Sequence, residues 1–325
     1  MNQSKRSLVL ASAFVQNTLT LMPNLLNLTL GSKFEHNTYT GFEYQPGARL
    51  LITPHPKHTV WAALTRAVRI PSRFENDLGS AWITLPPGEL FQGSPPVLIN
   101  IAGDRALKSS IIHAFEFGYR LHPANDLLID LVIFFNHYKG LRSGRLGTPS
   151  LVADPAPLHL VLPAYAANTL GVKTRGFEWS TDWQPTSLLR MRTGYTFLQM
   201  DVKSSILQNT DPNLLPPGSE DLLSGDNRNN PKHQLFAWAA FSPSFQWHID
   251  GILRYVDQLP TSKTKRYLEL DLNLGWHFHP QFEMTLTGQN LLHAHHREFE
   301  ATLVSTKPTE IQRSVYTALT WKLTP

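Results

Sequence analysis

The chain has no cysteine, which excludes disulfide scaffolds and thiolate metal centres and leaves it suited to an oxidising compartment. Charge is sparse as well, with Asp, Glu, Lys and Arg together making only 17% of the residues, low for a soluble domain. Long hydrophobic runs are missing. Runs such as Leu131 to Phe135 are far shorter than the roughly 20 residues of a spanning helix, so a helical membrane protein is excluded, whereas a spanning strand needs only about ten. Catalytic signatures are lacking too: there is no Gly-x-Ser-x-Gly elbow, no phosphate loop and no His-Glu-x-x-His pair, so neither an enzyme nor a bound cofactor is expected. The net charge of +4 and pI near 9.2 are spread over single Lys and Arg residues, without a basic stripe interleaved with aromatics, which argues against nucleic acid.

Apolar residues nevertheless make up 42% of the chain and aromatics 10%, at a mean hydropathy of -0.21. They are dispersed by alternation. In 267–279, Leu268, Leu270, Leu272, Leu274, Trp276 and Phe278 share one face, and Glu269, Asp271, Asn273, His277 and His279 the other, the period of two that a strand imposes. Phe282, Met284 and Leu286 repeat the pattern, as do Phe245, Trp247, Ile249, Leu253 and Tyr255. A soluble β-sandwich binding module alternates in the same way, so the connections must discriminate.

Short Pro-containing or polar turns fall at 22–24, 54–57, 122–124, 184–186, 242–244 and 279–280, and long polar connections at 36–45, 69–106, 139–170, 204–230, 257–265 and 293–310. Short and long alternate, which is the polarity of an outer-membrane barrel with periplasmic turns and extracellular loops. Trp183, Phe241, Phe245, Trp276, Phe278 and Phe282 gather near the short turns, as an interfacial girdle would. The reading is therefore all-β: an antiparallel transmembrane β-barrel of thirteen strands, near 8–21, 25–35, 46–54, 58–68, 107–121, 125–138, 171–183, 187–201, 232–242, 245–257, 266–279, 281–292 and 312–323. Lys5 and Arg6 before Leu8-Val9-Leu10 and Ala11-Ser12-Ala13 imitate a signal peptide, but the apolar region is short, and this segment is read as the first strand. Bacterial barrels normally have an even strand count, so an odd one suggests a barrel lacking its beginning.

The order of several segments carries a family resemblance. Phe14-Val15-Gln16 precedes the run Leu28 to Asn37; Trp61 leads through Thr65-Arg66-Ala67-Val68-Arg69-Ile70-Pro71-Ser72-Arg73 into Phe74-Glu75. Then follow Phe115 to Arg120, Phe134-Phe135-Asn136 with Tyr138, Gly176-Phe177-Glu178, Gly288-Gln289-Asn290-Leu291-Leu292, His296-Arg297-Glu298-Phe299 and Arg313-Ser314-Val315-Tyr316. In this order they resemble the barrel of TonB-dependent receptors, from about Phe14 to Leu323. The resemblance implies a barrel of roughly 22 strands around a plug, of which residues 1–325 would be the tenth strand onward. It also implies a cell outer membrane location, contacts with lipid and lipopolysaccharide, the TonB system as partner, and a metal chelate such as a siderophore, or cobalamin, as ligand. The family's plug, its TonB-binding box and its first nine or so strands have no counterpart in this sequence, and the end Trp321-Lys322-Leu323-Thr324-Pro325 departs from the usual terminal aromatic. A passive or structural barrel is the rival reading.

Candidate ligand contacts are Arg66, Arg69 and Arg73, where a strand enters the longest connection and guanidinium groups can meet an anionic chelate, together with Tyr39 and Phe42, joined by Tyr44, whose rings can stack on a ligand. His293, His295, His296 and Glu298 are read as loop chemistry rather than a metal site, and His277 and His279 as pore lining.

Overall fold

In a computed structural model the described residues are 7–79, 81–89, 93–204, 230–259, 264–299 and 309–323. The elements in chain order are β1 (Leu10–Met22), β2 (Leu26–Asn37), β3 (Gly41–His55), β4 (His58–Arg69), α1 (Arg73–Asp77), β5 (Ala81–Leu85), β6 (Val97–Ala102), β7 (Ser110–Ala124), β8 (Leu127–Leu146), β9 (Ser150–Val152), β10 (His159–Thr186), β11 (Leu189–Ser204), β12 (His233–Ser244), β13 (Trp247–Val256), β14 (Tyr267–His279), β15 (Phe282–Gln289), β16 (His295–His296), β17 (Ile311–Gln312) and β18 (Ser314–Trp321). One antiparallel path runs β1-β2-β3-β4-β7-β8-β10-β11-β12-β13-β14-β15-β18, which is thirteen strands, each overlapping one expected from alternation. The first and last, β1 and β18, form the two edges of this path, and both are exposed along their whole length.

Register divides the sheet into two chemically distinct faces. On one, Leu64 lies opposite Phe115, Phe115 opposite Phe135, Ile249 opposite Leu274, Leu274 opposite Leu286, and Met284 opposite Leu319. These large apolar side chains are broadly exposed, an inside-out distribution that a water-soluble sheet does not tolerate and that a lipid-facing wall requires. The other face carries charged residues along the length of the wall, including Glu116, Arg120, Asp130, Glu178, Asp182, Arg192 and Arg254. Buried apolar residues among those described are few. They are Val97, Leu107, Leu162, Ala167, Leu170 and Val172, gathered at the long-connection end.

The six short turns obey one rule. In five of them a two-residue tip follows a register shift, as at Pro56-Lys57 between His55 and His58. In all six the last tip residue presents its carbonyl to the next strand along the path or the residue just past it: Leu25 accepts from Thr53 N–H, Lys57 from His122, Asp126 from Gln184, Leu188 from Ser242, Gln246 from His277 and Gln281 from Lys322, each at 2.8 Å. Groups that would be orphaned at a turn are thereby satisfied by the neighbouring strand, and the rim is stitched laterally.

The opposite end departs from expectation at its first connection. Residues 36–45 are not a long loop. β2 and β3 stay paired up to Asn37 and Gly41, and the chain reverses over Thr38 to Thr40. Asn37, almost wholly buried, makes this reversal by accepting from the N–H groups of Tyr39 (3.0 Å) and Thr40 (2.9 Å), and Gly41 takes a positive φ of 77°. Farther along, β10 has 28 residues, about 90 Å at ~3.3 Å per residue, so it continues far beyond the span that lipid demands. Its first part pairs in parallel with β6, which pairs with β5, while β9 pairs along its other side, building a small sheet above the wall. The connection around 204–230 lies largely outside the described residues.

Candidate functional site

The charged face is arranged as cross-strand pairs. Arg120 on β7 stands opposite Asp130 on β8, with Nε 2.7 Å from the carboxylate. Asp182 on β10 receives Arg190 (2.7 Å) and Arg192 (2.9 Å) from β11. Arg254 on β13 reaches Asp271 on β14 at 3.1 Å and donates to Asn290 at 3.2 Å. Opposed charges placed this way favour the register that the alternation sets. They also give the wall a hydrophilic surface of mixed sign along which a polar solute can move.

Three side chains lie flat on this wall because their cross-strand neighbour is glycine. A Cβ at Gly118 would collide with the Trp61 ring, one at Gly176 with Phe134, and one at Gly275 with His248. Arg49 stacks over Trp61 at 4.6 Å. A recess of about 440 Å³ opens on the same face, with Asp130, Glu178, Gly194, Gln234 and Arg254 among its lining residues.

At the long-connection end the wall continues into α1. Ser72 caps it: its Oγ accepts from Glu75 N–H (3.2 Å) and Glu75 Oε2 accepts from Ser72 N–H (2.7 Å), a reciprocal capping box. Arg69 donates to both Glu75 oxygens at 2.9 Å, and Arg142 approaches at 3.9 Å. Burial pushes the Glu75 carboxyl up, but the N–H of Ser72 and the Arg69 guanidinium outweigh it and hold the group below the usual carboxylate range.

A polar wall, an apolar opposite face and a stitched rim of short turns are the architecture of an outer-membrane barrel wall. The family model described as TonB dependent receptor-like, beta-barrel matches residues 2–291. The chain belongs to this family.

Solved TonB-dependent barrels agree in fold. The siderophore receptor PirA from Acinetobacter baumannii is 16% identical with a TM-score of 0.70, over 98% of this chain and 47% of its own. A mutant of the ferric enterobactin receptor PfeA from Pseudomonas aeruginosa gives 16% and 0.70 over 96% and 44%. The FrpB iron transporter from Neisseria meningitidis gives 14% and 0.65 over 97% and 45%. The chain thus spans under half the length of each of these structures. No curated protein sequence matches it.

Within this TonB-dependent receptor barrel the five residues expected to touch ligand are dispersed. Arg66 lies where β3 and β4 part above the Gly47–Thr65 pair; its guanidinium stacks on Tyr44 at 4.2 Å, donates to the Tyr44 carbonyl and stands 4.0 Å from Glu43. Its side chain is only 13% exposed. Arg69 is engaged by Glu75, whereas Arg73 is exposed on α1. Phe42 and Tyr44 belong to β3 rather than to a loop; register puts them on the apolar face, where Phe42 stacks on Phe34 at 6.2 Å. Tyr39 sits in the Asn37 turn, half-buried.

The aromatic girdle is continuous at the short-turn end of the lipid-facing side. Trp247 stacks on Trp276 (5.4 Å), Trp276 meets Phe278 (5.3 Å), Phe278 meets Phe282 (6.0 Å), and Phe282 stacks on Trp321 (5.9 Å). Trp321 therefore carries the belt onto the last strand. Sequence reading missed Glu269, the most buried carboxylate described, which gathers His293 (2.6 Å) and His296 (3.2 Å). Its only signal was a Glu alternating with leucines. Among the described residues, His248, His277 and Glu283 form the group with metal-ligand spacing.

Proposed function

We propose that the chain forms the C-terminal part of the barrel of an outer-membrane TonB-dependent receptor that takes up an iron–siderophore or a similar anionic metal chelate. One observation carries this reading: an ion-paired polar wall backed by a lipid-facing apolar wall, in a fold that coincides over 96% or more of the chain with receptors whose names specify siderophores or ferric enterobactin. Such a wall binds weakly at many places. That is what passage through a lumen needs, whereas a single deep pocket would retain the solute. Energised uptake additionally calls for a plug coupled to the TonB system, so that partner belongs to the receptor as a whole.

Arg73 is the guanidinium best placed to meet an anionic ligand, since it is exposed and makes no ion pair among the described residues, while Arg66 and Arg69 are held by Tyr44, Glu43 and Glu75. Tyr39 at the neighbouring turn offers a ring for stacking, and Phe42 and Tyr44, on the apolar face, suit the lipopolysaccharide interface. The test is uptake of radiolabelled ferric siderophores by cells carrying the intact locus or a deletion of it, under iron limitation. TonB-dependent uptake lost on deletion supports the reading. Unchanged uptake of every iron chelate and of cobalamin, with ungated conductance of the chain in planar bilayers, would instead identify a passive barrel.

A further inference from the structure

We infer that the periplasmic-turn end of the polar wall carries a binding site for a divalent transition-metal ion, ligated by His248, His277 and Glu283. The inference rests on these residues alone and stands whatever solute the receptor transports.

The ligands come from three consecutive strands at the same rim. His248 follows the Phe245-Gln246 tip on β13, His277 lies near the end of β14 with its N–H bonded to Gln246, and Glu283 follows the Pro280-Gln281 tip on β15. His277 Nε2 stands 3.4 Å from Glu283 Oε2, and His248 Nε2 stands 3.6 Å from Oε1. Charge-assisted hydrogen bonds close to about 2.7–2.9 Å, so both contacts are long for such bonds. They match the separation of about 3.4 Å between two ligands of a tetrahedral ion with bonds of ~2.0–2.1 Å. One ligand atom from each residue falls within 4.8 Å of the other two.

The backbone is cut to allow this. His248 and Glu283 are two strands apart, ~9.6 Å at ~4.8 Å per strand, and β14 lies between them. Directly opposite His248 on β14 is Gly275, and the imidazole occupies the space that a Cβ there would take. Only because position 275 is glycine can the ring cross β14 toward Glu283. All three side chains keep partial exposure, at 28%, 32% and 17% for His248, His277 and Glu283. Three protein ligands with an open side define a site whose remaining positions water or an incoming donor group can fill. Two imidazoles and one carboxylate select Zn²⁺, Co²⁺, Ni²⁺ or Cu²⁺ over Ca²⁺ and Mg²⁺.

The test uses the full chain, purified without a polyhistidine tag in detergent micelles and titrated with CoCl₂ and ZnCl₂. One Co²⁺ per chain is expected, with visible absorption bands of a low-coordinate centre that Zn²⁺ abolishes. His248→Ala, His277→Ala and Glu283→Gln should each weaken binding by about tenfold or more, and Gly275→Val by a similar factor through displacement of His248. A His293→Ala/His296→Ala double variant should bind as the parent does. Equal binding by parent and ligand variants would overturn the inference, as would loss of binding in the His293/His296 variant alone. Should the variants misfold, the parent chain loaded with one Cu²⁺ decides: pulsed EPR must show two imidazole nitrogens, and none or one refutes the site.

Discussion

Glu269, fully buried at the long-connection end of β14, accepts from His293 Nδ1 at 2.6 Å across the chain reversal that follows β15. The same carboxylate takes the N–H of Leu292 at 3.3 Å, and His296 Nδ1 stands 3.2 Å away as an ion contact without hydrogen-bond geometry. His296 in turn holds Glu298 at 3.0 Å and lies against Tyr267 at 4.7 Å. One carboxylate therefore fixes the start of the connection 290–299 to the wall.

Removing it should release that connection. Glu269→Ala leaves the Leu292 N–H and the His293 Nδ1 donor without their acceptor; both residues are partly exposed and water replaces part of what is lost, so a cost of about 1 kcal/mol is expected. Denaturant unfolding in micelles measures it. Faster amide exchange at 291–296 with an unchanged rate at the short-turn end would place the effect. A change below about 0.5 kcal/mol, the level of an ordinary surface substitution, would show that Glu269 does not organise the connection.

Gly118 gives a second expectation. The Trp61 ring lies over it and Arg49 lies on Trp61, so Gly118→Val should drive the indole off the wall and separate it from Arg49. Overpacking of this kind costs about 1–3 kcal/mol. Trp61 fluorescence, isolated in a background with the other tryptophans replaced by phenylalanine, should shift and become more accessible to acrylamide. Gly194→Val, where a Cβ meets only the Trp179 carbonyl at 3.8 Å, is the tolerant control.

The thirteen strands were legible because alternation is a direct imprint of a wall with lipid on one side and water on the other. Leu268, Leu270, Leu272 and Leu274 could hardly be arranged otherwise. The turn between β2 and β3 was not legible, because a polar stretch such as Asn37 to Thr40 reads equally as loop or reversal until the buried Asn37 side chain is seen to cap it. The small sheet of β5, β6, β9 and the start of β10 escaped for a similar reason: its pairing is non-local, Val97 with Leu160 for example, and period alone says nothing of partners. The site followed the same division. Arg69 ends β4 and Arg73 begins α1, as their position after a strand suggests, but the crossing of His248 over Gly275 depends on register between strands.

Acid should loosen α1 selectively. The Glu75 carboxyl is held below its ordinary value in the folded chain, so the folded state favours the ionised form; its contribution is complete at neutral pH and is lost as pH falls from the ordinary carboxylate value through the lower folded one. Amide exchange at Asn76 and Leu78, whose N–H groups bond to Ser72 and Phe74, should therefore accelerate beyond its intrinsic pH trend below about pH 4.5. Glu75→Gln should abolish that pH dependence and exchange quickly throughout. An identical pH profile in the two proteins would mean that another group controls the helix.

The assignment of faces can be tested by moving one charge by one residue. Leu272 lies on the face that carries Leu253 and Leu270, and Asn273 on the face that carries Asp250 and Thr287. If the first meets lipid and the second water, Leu272→Arg should cost about 2–4 kcal/mol near the midplane, and Asn273→Arg much less, within about 1 kcal/mol. The difference is what decides. In a water-soluble sheet with the apolar face packed on a core, Leu272→Arg would also be costly, but the parent would then unfold no more readily in detergent-free buffer than in micelles. A lipid-facing wall instead predicts that the parent aggregates without detergent, that Leu272→Arg lowers folding yield in phospholipid vesicles in proportion to bilayer thickness, and that Asn273→Arg folds as the parent does. Equal penalties for the two substitutions in vesicles would refute the division into lipid and lumen faces on which the receptor reading depends.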